Sequence, residues 1–201
     1  MEESKAIEMI KRIPTIIQNI ENPTDEMKLL AISKNGLVLK YIKNPTKEMQ
    51  KLAIENNVRA IQYIENPSEK VQLEAIKISY ESLRYLKSPS LNCQIMAIKN
   101  NESAIQFIKD LNETKISEFL KVNILVIKYI TKEINKVDIK EILKEVLSKE
   151  DVEEKYVRDF LHCSMIDRNS EIVPIDKIMF IHKYGSKKSK KIAVDERLKM
   201  I

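Results

Sequence analysis

A column of long polar side chains recurs in this sequence at intervals of 22 residues. Every member is a hydrogen-bond donor or a cation, and none is acidic. The column consists of Gln18, Lys40, Gln62, Arg84, Gln106 and Lys128. Side chains of these types bind polar or acidic groups without forming covalent bonds, so the spacing predicts a surface for a partner.

The residue three positions before each member of this column varies in type. Arg59 precedes Gln62 and Glu81 precedes Arg84, whereas Leu37 precedes Lys40. Such variation suits a surface tailored to one protein partner, and we predict a partner-binding stripe there. An ordinary solvated helix face is the alternative interpretation. The predicted stripe comprises Lys40, Arg59, Gln62, Arg84, Gln106 and Lys128.

A second group of cations lies in the segment HKYGSKKSKK. A glycine divides two predicted helices there, and lysines in the first turn of the second helix oppose its dipole. A phosphate or an acidic partner would relieve that cost. Nucleic-acid binding by these lysines, with or without the polar column, is the alternative function, and a solvated tail is the structural interpretation. The lysines are Lys187, Lys188, Lys190 and Lys191.

Patterns typical of catalysis and metal binding are missing from the sequence. It has no glycine-rich phosphate loop and no nucleophile elbow. Four residues could be considered as zinc ligands, but they lack the required paired spacing. They are Cys93, His162, Cys163 and His182. We therefore expect a protein that is not an enzyme, uses no cofactor or metal, and has no small-molecule substrate.

Composition and charge limit the partner and the compartment. The net charge is +5, with 19 basic and 16 acidic residues in 1–131 and 16 and 14 in 132–201, so bulk charge does not imply nonspecific nucleic-acid binding. Two cysteines make no disulfide framework, which fits a reducing compartment. No stretch approaches about 18 apolar residues, so neither a signal peptide nor a membrane span is expected. These features predict a cytoplasmic protein.

The same interval governs the aliphatic residues that must position these side chains. Six units of 22 residues begin at residues 1, 23, 45, 67, 89 and 111, without insertion or deletion. The tenth, seventeenth and twentieth positions of every unit are Ile or Leu, as in Ile54, Ile61 and Ile64 of the third unit. Three aliphatic columns in one register predict repeated helical pairs that bury their apolar faces.

Candidate N-caps divide each unit into two helices. Asn, Ser or Asp fills position 22 in the first five units and Pro follows in four of these cases, which predicts that the first helix begins at this step. Asn or Ser at position 13 of units two to six predicts the start of a second α-helix over positions 14 to 21. Helices this short are unstable alone, so neighbouring units must stabilise one another.

A mostly aromatic column lies beside the polar column, at position 19. Tyrosines next to cations could stack on bases or anchor a protein interface. The position also flanks the predicted core, so we interpret the column as a packing ladder between repeats. Its members are Asn19, Tyr41, Tyr63, Tyr85, Phe107 and Tyr129.

The segment NPTKEMQKLAIENNVRAIQYIENPS resembles short α-solenoid repeats, namely leucine-rich variant repeats and, more loosely, HEAT repeats. The Asn-Pro-Ser/Thr step and the Ala-Ile pair carry the resemblance over residues 1–132. The unit is slightly shorter than the leucine-rich variant repeat, and its second helix is predicted to be α rather than 3₁₀. The resemblance implies a right-handed, non-catalytic solenoid that presents a long surface to a macromolecule, as an adaptor or as an inhibitor encoded by a phage or other mobile element.

Residues 133–201 leave the register and are predicted to form a helical cap on a six-repeat array at 1–132. Independent binding by this region is the alternative. Gly185 is predicted to end a helix in a left-handed conformation. The predicted helix starts are Asp138, Asp151, Pro174 and Ser186. The predicted fold class is therefore all-α.

Overall fold

The structure is a computed structural model that describes residues 3–130 and 138–199. This part of the chain contains ten α-helices, six 3₁₀ helices and two strands of two residues each. The first six α-helices are α1 Glu3–Arg12, α2 Asp25–Lys34, α3 Lys47–Asn56, α4 Glu69–Ile78, α5 Leu91–Asn100 and α6 Glu113–Val122. The 3₁₀ helices after them are Pro14–Asn19, Gly36–Tyr41, Val58–Tyr63, Tyr80–Tyr85, Glu102–Phe107 and Ile124–Tyr129. The other elements are α7 Ile139–Leu147, α8 Glu154–His162, β1 Ile166–Asp167, β2 Val173–Pro174, α9 Lys177–Tyr184 and α10 Lys187–Leu198.

The α-helices and 3₁₀ helices alternate at the predicted interval. The helices α1 to α6 begin at residues 3, 25, 47, 69, 91 and 113, and a 3₁₀ helix begins 11 residues after each start. The prediction of repeated helical pairs is therefore confirmed. None of the described helices has the length and apolarity needed to cross a membrane.

The chain folds into two compact units, residues 1–97 and 98–201. In the first, called the N-terminal unit, α1 to α4 pack in order, each on the next, and so do the first four 3₁₀ helices. The second is called the C-terminal unit. The predicted boundary between residues 132 and 133 lies outside the described residues and stays a prediction.

The predicted aliphatic columns form the core of the N-terminal unit. Ile54 and Ile61 expose 1% of their surface and Ile64 exposes 8%. Each such side chain stabilises the fold by roughly 1.5–3 kcal/mol before entropy is subtracted. Neighbouring repeats approach so closely that a Cβ at Gly36 would lie 2.3 Å from the Ala53 carbonyl oxygen. A larger residue at position 36 therefore does not fit.

The second helix of each pair is 3₁₀ rather than α, so that prediction was wrong. In the third repeat the Ala60 N–H donates to the Asn57 carbonyl at 2.9 Å and the Ile64 N–H donates to the Ile61 carbonyl at 3.1 Å. A six-residue segment closes more bonds of the i→i+3 type than of the i→i+4 type, which favours the 3₁₀ form.

The predicted caps at position 13 are confirmed. Each side-chain oxygen accepts the backbone N–H two residues ahead and so starts the 3₁₀ helix. In the third repeat the Asn57 side chain accepts the Arg59 N–H at 3.1 Å. The capping residues are Asn35, Asn57, Ser79, Asn101 and Asn123.

The predicted caps at position 22 are wrong by two residues. The cap of α3 is Thr46, whose hydroxyl accepts the Met49 N–H at 3.2 Å, and proline lies outside the helix. Asn44 and Asn66 are turn residues instead, with φ angles of 50° and 112°. A residue before proline avoids the right-handed helical conformation, and Asn tolerates positive φ better than other side chains do.

Buried and half-buried glutamines at position 6 hold the turns that contain the prolines, and this feature was not predicted. The amides of Gln50, Gln72 and Gln94 each donate to the carbonyl of the proline that begins their own repeat, at 3.0, 3.0 and 3.1 Å. The Gln72 side-chain oxygen Oε1 also accepts the Ser90 N–H at 3.0 Å. This second bond joins one repeat to the next.

The helix starts after residue 138 agree with the predictions in part. Asp138 caps α7 by accepting the Glu141 N–H at 3.1 Å, as predicted. Helix α8 begins at Glu154, three residues after the predicted start. Pro174 does not open α9, because it lies in β2, which pairs with β1 in parallel, and Asp176 is the cap.

The turn between α9 and α10 also differs from the prediction. Gly185 has a φ of −72°, so it is not a left-handed terminator. Glycine is needed there for packing instead, because a Cβ would lie 2.7 Å from the Ile181 carbonyl oxygen. Ser186 caps α10 as predicted, since its hydroxyl accepts the Ser189 N–H at 3.1 Å.

Candidate binding surfaces

The first candidate surface is the exposed side of the 3₁₀ helices in the N-terminal unit. A 3₁₀ helix has three residues per turn, so positions 15 and 18 share one face while positions 17 and 20 share another. In the third repeat Ile61 and Ile64 are buried by this geometry, and Arg59 and Gln62 are exposed. We call the exposed side chains at positions 15 and 18 the 3₁₀ surface.

Successive 3₁₀ helices place the predicted stripe residues next to one another. Lys40, Gln62 and Arg84 occupy the same position on three 3₁₀ helices that pack in order, and all three are exposed. The Gln62 amide donates to the Arg59 carbonyl at 3.0 Å, which keeps this side chain along the helix. The structure therefore confirms their exposure, and their binding role stays a prediction.

Charge is distributed differently on the two sides of the N-terminal unit. Its described ion pairs all lie on α-helices, where spacings of three or four residues bring opposite charges together, as for Lys28 and Asp25 at 2.8 Å. Neither Lys40 nor Arg59 has a described carboxylate within ion-pair distance. Lys40 lies 4.6 Å from the centre of the Tyr41 ring, and that side chain raises the pKa of Lys40. The 3₁₀ surface thus presents cations to solvent.

A cavity of about 280 Å³ opens beside this surface, between the third and fourth repeats. Its lining includes Ile61, Gln62, Asn66, Tyr85 and Leu86. The volume is just below the roughly 300–1,000 Å³ typical of small-molecule sites. The cavity therefore suits a single side chain of a partner protein better than a small-molecule ligand.

In the C-terminal unit, the two remaining stripe residues are exposed on neighbouring 3₁₀ helices. Gln106 and Lys128 occupy the same position in successive repeats. The Lys128 ammonium lies 3.4 Å from the Glu102 carboxylate, so its charge is partly neutralised. These two residues consequently present less net positive charge than Lys40 and Arg59 do.

The aromatic column has a mixed environment. Tyr41 and Tyr85 are half-buried against the core of the N-terminal unit, as the packing interpretation requires. Tyr63 and Tyr129 are 37% and 43% exposed. Part of the column therefore packs between repeats, and part of it borders the polar column.

The second candidate surface is the basic first half of α10. All four predicted lysines are exposed, and none of them forms an ion pair with a described carboxylate. The Lys187 backbone N–H is held by the Glu150 carboxylate at 3.1 Å, which fixes the start of the helix. The lysines are Lys187, Lys188, Lys190 and Lys191.

The cysteines and histidines considered as zinc ligands do not form a described metal site. Among the residues that the structure describes, no group of three or more Cys, His, Asp or Glu side chains could hold a metal ion. Cys93 and Cys163 are buried, and burial raises the pKa of the Cys93 thiol. The His162 imidazole lies 3.3 Å from the Glu196 carboxylate.

A third surface, between α9 and α10, was not predicted from the sequence. Val194 and Leu198 are 58% and 66% exposed, and Ile178 is 40% exposed. The sequence did contain a pattern that indicates this surface, because Val194 and Leu198 stand four residues apart beside lysines, on the outward face of α10.

Comparison with known protein families, curated proteins and solved structures gives no match to this chain.

Proposed function

We propose that this chain is a non-catalytic, cytoplasmic helical-repeat protein that binds another protein through the 3₁₀ surface. The repeated pairs would form a right-handed α-solenoid of the leucine-rich variant or HEAT type, acting as an adaptor or as an inhibitor. Repeat proteins of this kind commonly bind along extended surfaces made from equivalent positions of successive repeats.

The observation that carries this proposal is the exposure of Lys40 and Arg59 without an internal carboxylate partner. Cations placed in this way gain more from an external acidic group than paired cations do. The adjacent cavity of about 280 Å³ supplies a site for one buried side chain of the partner. Charge and cavity together favour a protein partner with an acidic surface and an apolar or aromatic anchor.

The test is affinity capture from the native host with the full chain as bait, followed by mass spectrometry. A double variant, Lys40→Glu with Arg59→Glu, reverses two charges on the 3₁₀ surface. We expect it to lose the captured protein while its melting curve stays that of the wild type, because both residues are exposed.

The matched control reverses two exposed lysines on the α-helical side, Lys47→Glu with Lys70→Glu. Both double variants lower the net charge from +5 to +1, so they differ only in where the charge lies. Equal capture by all three proteins, or equal loss in both variants, would contradict the proposal.

Nucleic-acid binding through α10 is the second candidate function, and the four exposed lysines favour it. Binding to a random-sequence duplex would then weaken steeply with salt, because each neutralised phosphate releases counterions. Reversal of Lys187 and Lys190 to Glu would reduce that slope. Absence of duplex binding at low salt excludes this function.

A further inference from the structure

An apolar groove runs between α9 and α10 in the C-terminal unit. The two helices pack against each other on either side of the Gly185–Ser186 turn. The groove contains a cavity of about 160 Å³. Its lining residues are Ile178, Ile181, His182, Lys190, Ala193, Val194 and Arg197.

The apolar part of this groove is exposed to an unusual degree. Val194 and Leu198 stand one helical turn apart, at 58% and 66% exposure, and Ile178 faces the same groove from α9 at 40%. Single exposed apolar residues are common on protein surfaces, whereas contiguous apolar patches typically mark interaction sites. Ile178 and Val194 line the same cavity, and Leu198 follows Val194 by one helical turn just outside it, so the three residues form a patch.

The charged residues that line the cavity are basic. None of its lining residues is acidic, and Lys190 and Arg197 form no ion pair within the described residues. The exposed Asp195 also belongs to α10 but does not line the cavity. The neighbouring Glu196 is 7% exposed, and its carboxylate contacts Arg158, so it does not neutralise the rim. An occupant must therefore combine apolar side chains with acidic flanks.

We propose that this groove binds an acidic amphipathic helix of a partner protein. A groove between two packed helices accepts the ridge of a third, whose anchors recur at i, i+3 or i+4, and i+7. A second cavity of about 590 Å³ adjoins the first, but its lining includes Asp167, Asp176 and Glu196, so we assign the helix to the first cavity alone. This site is separate from the 3₁₀ surface and does not depend on its function.

A protein helix fits this surface better than a nucleic acid does. Lys187 and Lys191 share the outward face of α10 with Val194 and Leu198. Phosphates would form ion pairs with the lysines but would leave the apolar side chains exposed to water. An acidic amphipathic helix satisfies both halves of this face, because its leucines would cover Val194 and Leu198.

The probe for the test is a display library of helical peptides of about 18 residues. Leucines are fixed along one face and all other positions are randomised, and the full chain is the bait. We expect the selected peptides to carry an excess of Asp and Glu beside the leucine face. Val194→Glu should weaken their binding by at least about tenfold, because it places a carboxylate beneath the leucine face of the peptide, where it is desolvated and close to the acidic flanks.

The control variant is Ile78→Glu in the N-terminal unit, where the side chain is 52% exposed, close to the 58% of Val194. It should bind the selected peptides like the wild type. Failure to select any peptide, selection of neutral or basic peptides, or unchanged binding by Val194→Glu would each overturn the proposal. A random-sequence DNA duplex of roughly 30 base pairs is the second arm. Binding that prefers the duplex to every peptide would also overturn it.

Discussion

The N-terminal unit and the region from α7 to α10 are stabilised in different ways. In the N-terminal unit the same few interactions recur, namely the aliphatic columns, the Asn or Ser caps at position 13 and the glutamine bonds to proline carbonyls. In the second region the contacts between helices follow no repeat. Examples are the Phe160–Phe180 contact, with ring centres 6.2 Å apart, and the bond from the Tyr156 hydroxyl to the Leu120 carbonyl at 2.9 Å.

This difference determines which residues of each region are available for binding. A repeated framework fixes positions 17 and 20 and leaves positions 15 and 18 open, so residues such as Arg59 and Gln62 are available for a partner. In the second region some of the polar groups stabilise the fold instead. The Glu196 carboxylate, which contacts Arg158 and lies 2.8 Å from Lys199, is one such group.

The largest expected loss of stability follows from placing a charge in one of the aliphatic columns. Ile61→Asp buries a carboxylate where 1% of the side-chain surface is exposed, and we expect it to lower the free energy of unfolding by more than about 4 kcal/mol. Gln62→Asp makes the same charge change at the next, exposed residue and should cost about 1 kcal/mol at most. Chemical denaturation followed by circular dichroism measures both. Similar losses would show that the columns do not dominate stability.

A smaller loss of stability is expected when the hydrogen bond of the Tyr156 hydroxyl is removed. Tyr156→Phe leaves the Leu120 carbonyl, in the last turn of α6, without its buried donor, so we expect a loss of about 1–3 kcal/mol at neutral pH. Tyr129→Phe is the matched control, because Tyr129 is 43% exposed, and it should change stability by less than about 0.5 kcal/mol.

The effect of Tyr156→Phe should depend on pH in one direction. Burial raises the pKa of Tyr156 far above its usual value of about 10, so the folded protein keeps this proton at a pH where the unfolded chain loses it. The free energy of unfolding of the wild type therefore falls as pH rises above about 10, by up to about 1.4 kcal/mol per pH unit. Tyr156→Phe lacks this ionisable group, so its free energy of unfolding does not fall for this reason. Denaturation between neutral pH and pH 11 measures the difference. A difference that stays constant with pH would exclude a buried hydroxyl.

The repeated framework could be predicted from the sequence because its signals are local and occur many times. The burial of Ile54, Ile61 and Ile64 and the capping by Asn57 follow from residue type and spacing alone. The cap of α3 could not be predicted in this way, because Asn44 and Thr46 flank the same proline and either could start a helix. The bond from the Gln50 amide to the proline carbonyl is part of the observed turn, and a cap pattern does not reveal it.

The candidate surfaces could be predicted only in part. The exposure of Lys40 and Gln62 follows from their place opposite the core columns. The α9–α10 groove depends on how two helices pack, and an exposed Val194 beside Leu198 has the same spacing as a core pair. Their exposure could therefore not be distinguished from burial by periodicity.

The smallest expected changes in the free energy of unfolding concern two equivalent turns of the repeats. Asn66 has a φ of 112°, where only glycine is unstrained, whereas Asn44 has a φ of 50°, close to the left-handed conformation that Asn tolerates. We expect Asn66→Gly to raise the free energy of unfolding by about 0.5–1 kcal/mol and Asn44→Gly to change it less. Asn66→Ala should lower it by about 1–2 kcal/mol, since the methyl group is strained and the amide is lost. Thermal denaturation of the three variants ranks them, and equal effects of glycine at both positions would show that the two turns carry the same strain.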